Sequence, residues 1–374
     1  MQSKDSRKSE ITTPQSDSAL QKLQRSLRLL DKGSRARWWR RRGSSRRGFW
    51  YEDVSGTRVT DDEHLARIRS LAIPPGYKEV RVSPFAHSRL QAVGIDAAGR
   101  LQYKYHADFA LRRARLKYRK IEEFGLLLPR LRQTTNEHIA SPGLGRERVL
   151  AVILRLINET YFRLGTEGSV RQYKTFGITS LRNHHLSIRP GDQLVFQFVG
   201  KHRIKQRRVL VDSELASLLN EIKSLGGSRL FNYVDAEGRA RPITPSDVNR
   251  YIKGAIGPKF SAKDFRTWGG TLQAAIALAE IGKAESHTQV KRNLVKAVRK
   301  VAERLGNTPS VCKSSYIHPV VFERYQQGVT LSDFRPRAQR IIRSHQDDHN
   351  EHYELEEIEL LKLFGSAGTR ANKD

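Results

Sequence analysis

The chain has 374 residues, enough for two or three domains of ordinary size. Lys and Arg number 68 against 39 Asp and Glu, and the resulting formal net charge of +29 predicts a polyanionic partner such as DNA or RNA. The single cysteine, Cys312, excludes an internal disulfide and a cysteine-clustered zinc site. The sequence contains no run of about 18 apolar residues, and its first twenty residues lack the apolar core of a secretory signal. We therefore expect a soluble cytoplasmic protein with no membrane association.

Residues 1–48 are strongly basic. They contain fourteen Lys and Arg against four Asp and Glu, a net charge of +10. This composition predicts a disordered basic arm that holds nucleic acid loosely.

Residues 49–106 have the pattern of a small β-rich domain. Short runs of alternating polarity predict strands over residues 78–82, 90–95 and 101–105, separated by turn signals rich in Pro and Gly. A short helix is predicted over residues 61–72, ahead of the first of these strands, with Asp61 or Asp62 as its N-cap.

Residues 107–345 are predicted to form a mostly helical domain that contains a small β-meander, so that the fold class of the chain is α+β. Residues 107–124 read as a long basic helix or linker, and an apolar stripe predicts a helix over 146–162. The meander is predicted over residues 186–188, 193–199 and 207–211, and further helices over 213–224, 244–256, 266–281, 288–305 and 319–327. The remaining residues, 346–374, form an acidic tail with eight acids and three bases, in which an amphipathic helix could pack on a basic face.

Common catalytic motifs are absent from the sequence: it has no Walker loop, no HExxH, no zinc spacing and no Gly-x-Ser-x-Gly. What remains is a set of cations and a tyrosine at structured positions. Arg163 follows a helix for which Gly165 is the expected C-cap, Lys201 lies at a hairpin tip, and Arg266 lies in the first turn of a helix. Tyr316 follows in a basic segment. Each of these residues alone has an ordinary interpretation, as a capping, solvated or packing side chain.

Taken in order, these segments resemble the catalytic domain of type IB DNA topoisomerases, specifically the bacterial and poxvirus branch. The matching segments are Tyr161-Phe162-Arg163-Leu164-Gly165, Phe198-Val199-Gly200-Lys201, Lys263-Asp264-Phe265-Arg266-Thr267-Trp268-Gly269 and the block from Asn307 to Tyr316. Upstream, residues 99–105 resemble the family's N-terminal segment that touches target base pairs. The resemblance spans about residues 49–340.

The resemblance implies a helical catalytic domain of the tyrosine recombinase/topoisomerase IB type and a β-rich N-terminal domain that binds double-stranded DNA. It implies transient cleavage of one strand through a 3′-phosphotyrosyl intermediate, swivel relaxation of positive and negative supercoils, and religation. It also implies that no ATP, cofactor or metal is required. The expected protein is monomeric on DNA and associated with a bacterial nucleoid.

The resemblance also assigns roles to individual residues. Tyr316 is the nucleophile, Arg163 and Arg266 clamp the phosphate, and Lys201 is the general acid, a role that Arg163 could share. Asn307 replaces a histidine of the poxvirus and nuclear members and donates a hydrogen bond to the phosphate. An alternative for Asn307 is that it only caps a turn.

The same comparison assigns DNA contacts to four residues, namely Gln102, Tyr103, Tyr105 and Lys263. Two alternatives stay open at this point. Tyr103 and Tyr105 alternate onto one strand face and are equally explained as a packed aromatic pair. Lys263 either supports the phosphate clamp or is simply solvated.

Two other functions use the same features. A tyrosine recombinase or integrase has the same clamp and nucleophile, but the β-rich N-terminal segment and Lys263 favour the topoisomerase. A non-enzymatic basic DNA-binding protein would account equally well for the charge. Trapping of a covalent DNA adduct separates the enzymes from the binding protein.

Overall fold

The computed structural model describes residues 14–334 and 353–368. The chain divides into two compact units, Met1–Lys117 and Tyr118–Asp374, and the division falls inside one long helix. The boundary predicted between residues 106 and 107 falls at the start of that helix, ahead of the division between the two units.

The N-terminal unit contains an antiparallel sheet with the strand order β2-β1-β3-β4-β5. Its elements are helix α1 (Pro14–Leu30), strands β1 (Trp39–Ser44) and β2 (Gly48–Glu52), helix α2 (Asp62–Ser70), and strands β3 (Lys78–Val82), β4 (Leu90–Ile95) and β5 (Leu101–Tyr105). The three strands predicted from alternating polarity are confirmed. So is the cap of α2, because the Asp61 side chain accepts a hydrogen bond from the His64 backbone N–H (2.8 Å).

Both faces of this sheet bury apolar side chains. Successive residues of a strand point to opposite faces, and neighbours on β4 accordingly join different clusters. Ala92 packs in a cluster with Ile68 of α2, whereas Val93 packs in a cluster with Leu30 of α1. The two helices therefore supply the apolar partners for the two faces.

The prediction of a disordered arm over residues 1–48 is wrong for the described part of that stretch. Leu30, Trp38 and Trp39 are buried, and β1 lies between β2 and β3 inside the sheet. Burial of their apolar side chains against the sheet stabilises the fold by more than the repulsion between the surrounding charges destabilises it. The β-rich domain therefore begins before residue 49, and removal of residues 1–48 would take an interior strand with it. Residues 1–13 lie outside the described residues.

The rest of the chain is mostly helical. Its helices are α3 (Ala107–Ala140), α4 (Arg146–Thr160), α5 (Glu167–Tyr173), α6 (Ser213–Ser224), α7 (Pro245–Ile256), α8 (Ala262–Ile281), α9 (His287–Leu305), α10 (Pro309–Ser315), α11 (Pro319–Gln326) and α12 (Leu355–Gly368). Its strands are β6 (Leu186–Arg189), β7 (Gln193–Val199) and β8 (Lys205–Val211), which form the predicted meander, and the short pair β9 (Asn232–Val234) and β10 (Ala240–Pro242). The α+β fold class is confirmed.

Helix α8 lies at the centre of the large hydrophobic core. Most of its side chains are buried, including Phe265, Trp268 and Leu272. The Trp268 ring packs directly on Gly125 of α3, where any Cβ would collide with the ring. The glycine thus allows α3 to approach the central helix closely.

The acidic C-terminal segment contains a helix that is part of this core. Leu360, Leu363 and Phe364 of α12 are buried. The Glu357 carboxylate accepts two hydrogen bonds from the Arg132 guanidinium (2.6 and 2.9 Å) and one from the Trp268 indole N–H (3.0 Å). The sequence suggested an amphipathic helix that packs on a basic face. Helix α12 instead packs its apolar side chains into the core and binds one basic side chain, that of Arg132. Residues 346–352 and 369–374 of the predicted tail lie outside the described residues.

None of the helices in residues 14–334 and 353–368 combines the length and the apolar character that a membrane span needs.

Candidate active site

The turn that carries Arg163 begins with a residue in a left-handed conformation. Helix α4 ends at Thr160, and Tyr161 follows with φ 56° and ψ 29°. The expectation that Gly165 is the C-cap is therefore wrong. Gly165 instead packs so closely on Gly177 that a Cβ would lie 2.5 Å from the Gly177 nitrogen. A non-glycine residue at positive φ is unfavourable, and such residues persist where the surrounding structure holds them.

The contact that holds this turn comes from Arg266. Its Nη1 donates to the Tyr161 carbonyl oxygen, and its Nη2 donates to the Leu305 carbonyl oxygen (2.8 Å). These carbonyls end helices α4 and α9, where the backbone dipoles place partial negative charge. The side chain of Arg266 is therefore fixed by two helix ends, a contact that no local sequence pattern contains.

Arg266 is a buried cation that forms no ion pair with an acidic side chain in residues 14–334 and 353–368. The residue is 4% exposed, and its Nε lies buried with no hydrogen-bond partner among the described residues. Burial, followed by the nearby charge of Arg163, lowers the pKa of Arg266 to about 10. The guanidinium thus stays charged at neutral pH, and a bound anion would offset the cost of burying it.

Tyr316 lies next to this guanidinium. It caps the C-terminus of α10, and the centroid of its half-buried ring lies 5.1 Å from the Arg266 Cζ. Burial raises the pKa of the phenol. The charge of Arg266, a hydrogen bond with its guanidinium and the charges of Arg163 and Lys263 together outweigh that effect and leave the Tyr316 pKa below its ordinary value of 10. The backbone of Tyr316 packs on Gly270, where a Cβ would lie 2.6 Å from the Tyr316 carbonyl oxygen.

Asn307 is oriented by Arg163. The Arg163 Nη2 donates to the Asn307 Oδ1, and the Asn307 Nδ2 is buried with no partner among the described residues. The amide therefore presents a free donor. The following helix α10 is capped by Thr308, whose side chain accepts a hydrogen bond from the Val311 N–H, so the turn-capping alternative does not describe Asn307.

Lys201 completes the group of cations. It is exposed in the turn between β7 and β8, and it lines a small pocket together with Arg163 and Arg266. The structure thus gathers the predicted set: three cations line one pocket, Tyr316 lies against Arg266, and Asn307 is bound to Arg163. Lys263, in the first turn of α8, is exposed.

The predicted DNA contacts of the N-terminal unit lie on the edge strand β5. The rings of Tyr103 and Tyr105 stack with centroids 6.3 Å apart and an interplanar angle of 25°, as expected for the packed pair. Tyr103 nevertheless keeps 45% of its surface exposed. The Gln102 Nε2 donates to the Asp96 carboxylate (2.9 Å), so that this donor is already engaged.

The sequence analysis missed the contact between Tyr161 and Gly269. The Tyr161 ring packs on Gly269 of α8, where a Cβ would collide with it, and this packing supports the turn that binds Arg266. The sequence did contain one signal for this contact, the Gly269-Gly270 pair inside a helical pattern. Such a pair indicates that another segment of the chain packs closely on the helix.

Two family models match this chain, and both describe a class of enzyme that acts on DNA. The family model described as "Eukaryotic DNA topoisomerase I, catalytic core" matches residues 106–341, and the one described as "Bacterial DNA topoisomerase IB, N-terminal domain" matches residues 48–96. The chain belongs to the type IB DNA topoisomerases.

Several curated proteins are similar to this chain. DNA topoisomerase 1B of Acanthamoeba polyphaga mimivirus is 29% identical over 287 residues, which cover 75% of this chain and 84% of that protein. DNA topoisomerase I of Monkeypox virus is 26% identical over 244 residues, which cover 64% and 73%. Among solved structures, the XerH site-specific recombinase in a post-cleavage complex with palindromic difH covers 59% of this chain and 50% of its own, with 16% identity and a TM-score of 0.33, too low for an inference about fold or function.

Proposed function

We propose that this topoisomerase cuts and reseals one strand of duplex DNA with Tyr316 as the nucleophile. The observation that carries the proposal is the position of the Tyr316 ring beside the buried guanidinium of Arg266. A phosphate bound at that guanidinium would lie next to the phenol.

The reaction exchanges one phosphate ester for another. The Tyr316 oxygen gives its proton to solvent water and bonds to a backbone phosphorus, and the bond from phosphorus to the 5′-oxygen of the next nucleotide breaks. Lys201 gives that leaving oxygen its proton, which an ammonium can do and an arginine cannot. The 3′-phosphotyrosine keeps the ester energy, and for this reason the reverse step reseals the strand without ATP.

The fixed cations stabilise the transition state. Negative charge grows on the two non-bridging oxygens, where Arg163, Arg266 and the free Asn307 amide offer donors that are already oriented. The Asn307 amide is neutral at every accessible pH, so it helps to orient the phosphate without adding charge to the site.

One chain is sufficient for this chemistry. Arg163, Lys201, Arg266, Asn307 and Tyr316 all belong to the unit Tyr118–Asp374, which supports a protein that acts as a monomer on DNA. We assign DNA binding to the β-rich unit through Gln102, Tyr103 and Tyr105, and to Lys263. The net charge of +29 supports contacts to phosphates along chromosomal DNA and a place on the nucleoid.

Relaxation of supercoiled DNA without added metal or ATP tests the proposal as a whole. The full chain is expected to relax positively and negatively supercoiled plasmid in EDTA without ATP, because ester exchange and fixed cations need neither. The products are read on agarose gels, with a parallel reaction stopped by detergent to trap nicked DNA joined to protein. A strict requirement for Mg²⁺ or ATP, or relaxation without any trapped adduct, would refute the proposal.

The pH dependence of cleavage tests the electrostatic environment of the nucleophile. Below its pKa the phenol is protonated, so the rate of single-turnover cleavage rises with pH up to that pKa. Lys263→Gln removes a positive charge that lowers the Tyr316 pKa and is expected to move the rising limb to higher pH.

The control for this substitution is Lys253→Gln, which removes an exposed charge from α7. It is expected to leave the midpoint unchanged when DNA is saturating. A shift to lower pH in Lys263→Gln, or equal shifts in both variants, would contradict the account.

A further inference from the structure

We propose that Gln206 is a further ligand of the scissile phosphate, donating a hydrogen bond from its side-chain amide to a non-bridging oxygen. The inference rests on the proposed function, because it concerns the phosphate that Tyr316 attacks. None of the resemblances above assigns a role to this residue.

The position of Gln206 follows from the alternation of β8. Leu210 packs against the core, and Arg208 donates to the Arg304 carbonyl oxygen at the C-terminus of α9. Gln206 is the next residue on the same strand face and pairs in register with Phe198 of β7. Gln206 lies two residues before Arg208 on β8, and at Gln206 this face of the strand reaches the pocket.

Two glycines fix where the amide lies. A Cβ on Gly200 would lie 3.0 Å from the Gln206 Cγ, so that the side chain passes directly over the residue before Lys201. A Cβ on Gly306 would lie 2.6 Å from the Gln206 Nε2, which places the amide against the residue before Asn307. The amide thus lies between the turn that carries the proposed general acid and the turn that carries the proposed phosphate donor.

The surroundings of the amide match an anion. Gln206 lines the same pocket as Arg163, Lys201 and Arg266, and its side chain makes no hydrogen bond to any described residue. Arg304 lines the pocket as well, so the amide lies beside four cations, and no carboxylate lines the pocket. Its N–H is therefore the group that an incoming phosphate would use. The Gln206 amide is neutral, so its hydrogen bond stabilises the transition state without adding positive charge to a pocket that already contains several cations.

The first test is a set of single-turnover cleavage rates with saturating DNA. Gln206→Ala is expected to lower the rate by roughly tenfold to a hundredfold, the range for a hydrogen bond to a charged group. Gln206→Glu keeps the shape but directs a negative charge at the phosphate, and its loss is expected to be larger. The control is Gln197→Ala on the exposed side of β7, which is expected to cleave like the unchanged chain.

A modified substrate separates phosphate binding from a structural role. The duplex carries a cleavage site mapped beforehand, with one non-bridging oxygen at that site replaced by methyl, as two separate stereoisomers. On the isomer that lacks the oxygen bound by Gln206, the unchanged chain and Gln206→Ala are expected to cleave at the same rate, while the other isomer keeps the full difference.

Each outcome decides the inference. Equal losses on both isomers, or cleavage by Gln206→Ala at the unchanged rate on ordinary DNA, would overturn it while leaving the proposed function standing. Failure of the unchanged chain to form any adduct would instead overturn the proposed function. Thermal unfolding of each variant shows whether a loss of rate is caused by misfolding. If Gln206→Ala is misfolded, the cleavage rates of Gln206→Glu on the two isomers are compared instead. A loss confined to the isomer that keeps the oxygen bound by Gln206 supports the inference, and equal losses on both isomers overturn it.

Discussion

Replacing Tyr316 by phenylalanine is expected to abolish both the detergent-stable DNA adduct and supercoil relaxation, while DNA binding is retained. The substitution removes only the phenolic oxygen, and the ring keeps its place beside Arg266. Because the account assigns the ester to this one oxygen, the expected loss is complete rather than partial. The measurement is detergent trapping on labelled duplex together with plasmid relaxation.

A matched control is available for this substitution. Tyr173→Phe removes the hydroxyl of a half-exposed tyrosine on α5, outside the pocket, and is expected to keep full activity. Binding of both variants to DNA is compared by filter retention. An adduct formed by Tyr316→Phe would show that another side chain attacks the phosphate.

Replacing Arg266 by alanine is expected to lower the rate of single-turnover cleavage by about a hundredfold to a thousandfold, the typical cost of one preorganised donor in a catalytic site. The loss has two sources. The transition state loses a fixed cation, and the carbonyls of Tyr161 and Leu305 lose their donor. Arg266→Lys keeps the charge without the fork that binds both carbonyls, so it is expected to recover only a small part of the rate.

Asn307→Ala provides the comparison for this large effect. It removes one neutral donor and leaves the guanidiniums in place, so its loss is expected to be smaller than that of Arg266→Ala. A loss as large in Asn307→Ala as in Arg266→Ala would contradict the division of roles. Urea unfolding of the variants measures how far the broken contacts to Tyr161 and Leu305 destabilise the fold.

Local patterns predicted the elements whose structure depends on neighbours in sequence. Strands β3, β4 and β5 have the predicted bounds because alternation and turn residues act over a few positions. The cap of α2 was predictable for the same reason. Residues 1–48 show the limit of composition: their charge predicted disorder, yet Trp38 and Trp39 gain burial from strands far along the chain.

The end of α4 shows why local rules fail near the site. A glycine cap at Gly165 was the expectation from sequence, but the left-handed residue is Tyr161, whose carbonyl is bound by Arg266, 105 positions away. Secondary-structure propensity contains no information about such a contact. The left-handed turn at Tyr161 and the Arg266 side chain stabilise each other, which is typical of functional sites.

The candidate site was predictable as a set of residues but not as a geometry. The order of segments around Arg163, Lys201, Arg266 and Tyr316 singled out the residues through their resemblance to a family. The pairing of Arg163 with Asn307, and the approach of Gln206 to that turn, arise from tertiary packing.

The most direct test of the central claim is the chemical identity of the trapped DNA–protein link. The adduct formed by the unchanged chain is digested with trypsin and nuclease, and the modified peptide is sequenced by mass spectrometry. The account predicts one modified residue, Tyr316, joined to a 3′-phosphate, with a free 5′-hydroxyl on the other DNA end. A link to any other residue, or to a 5′-phosphate, would contradict it.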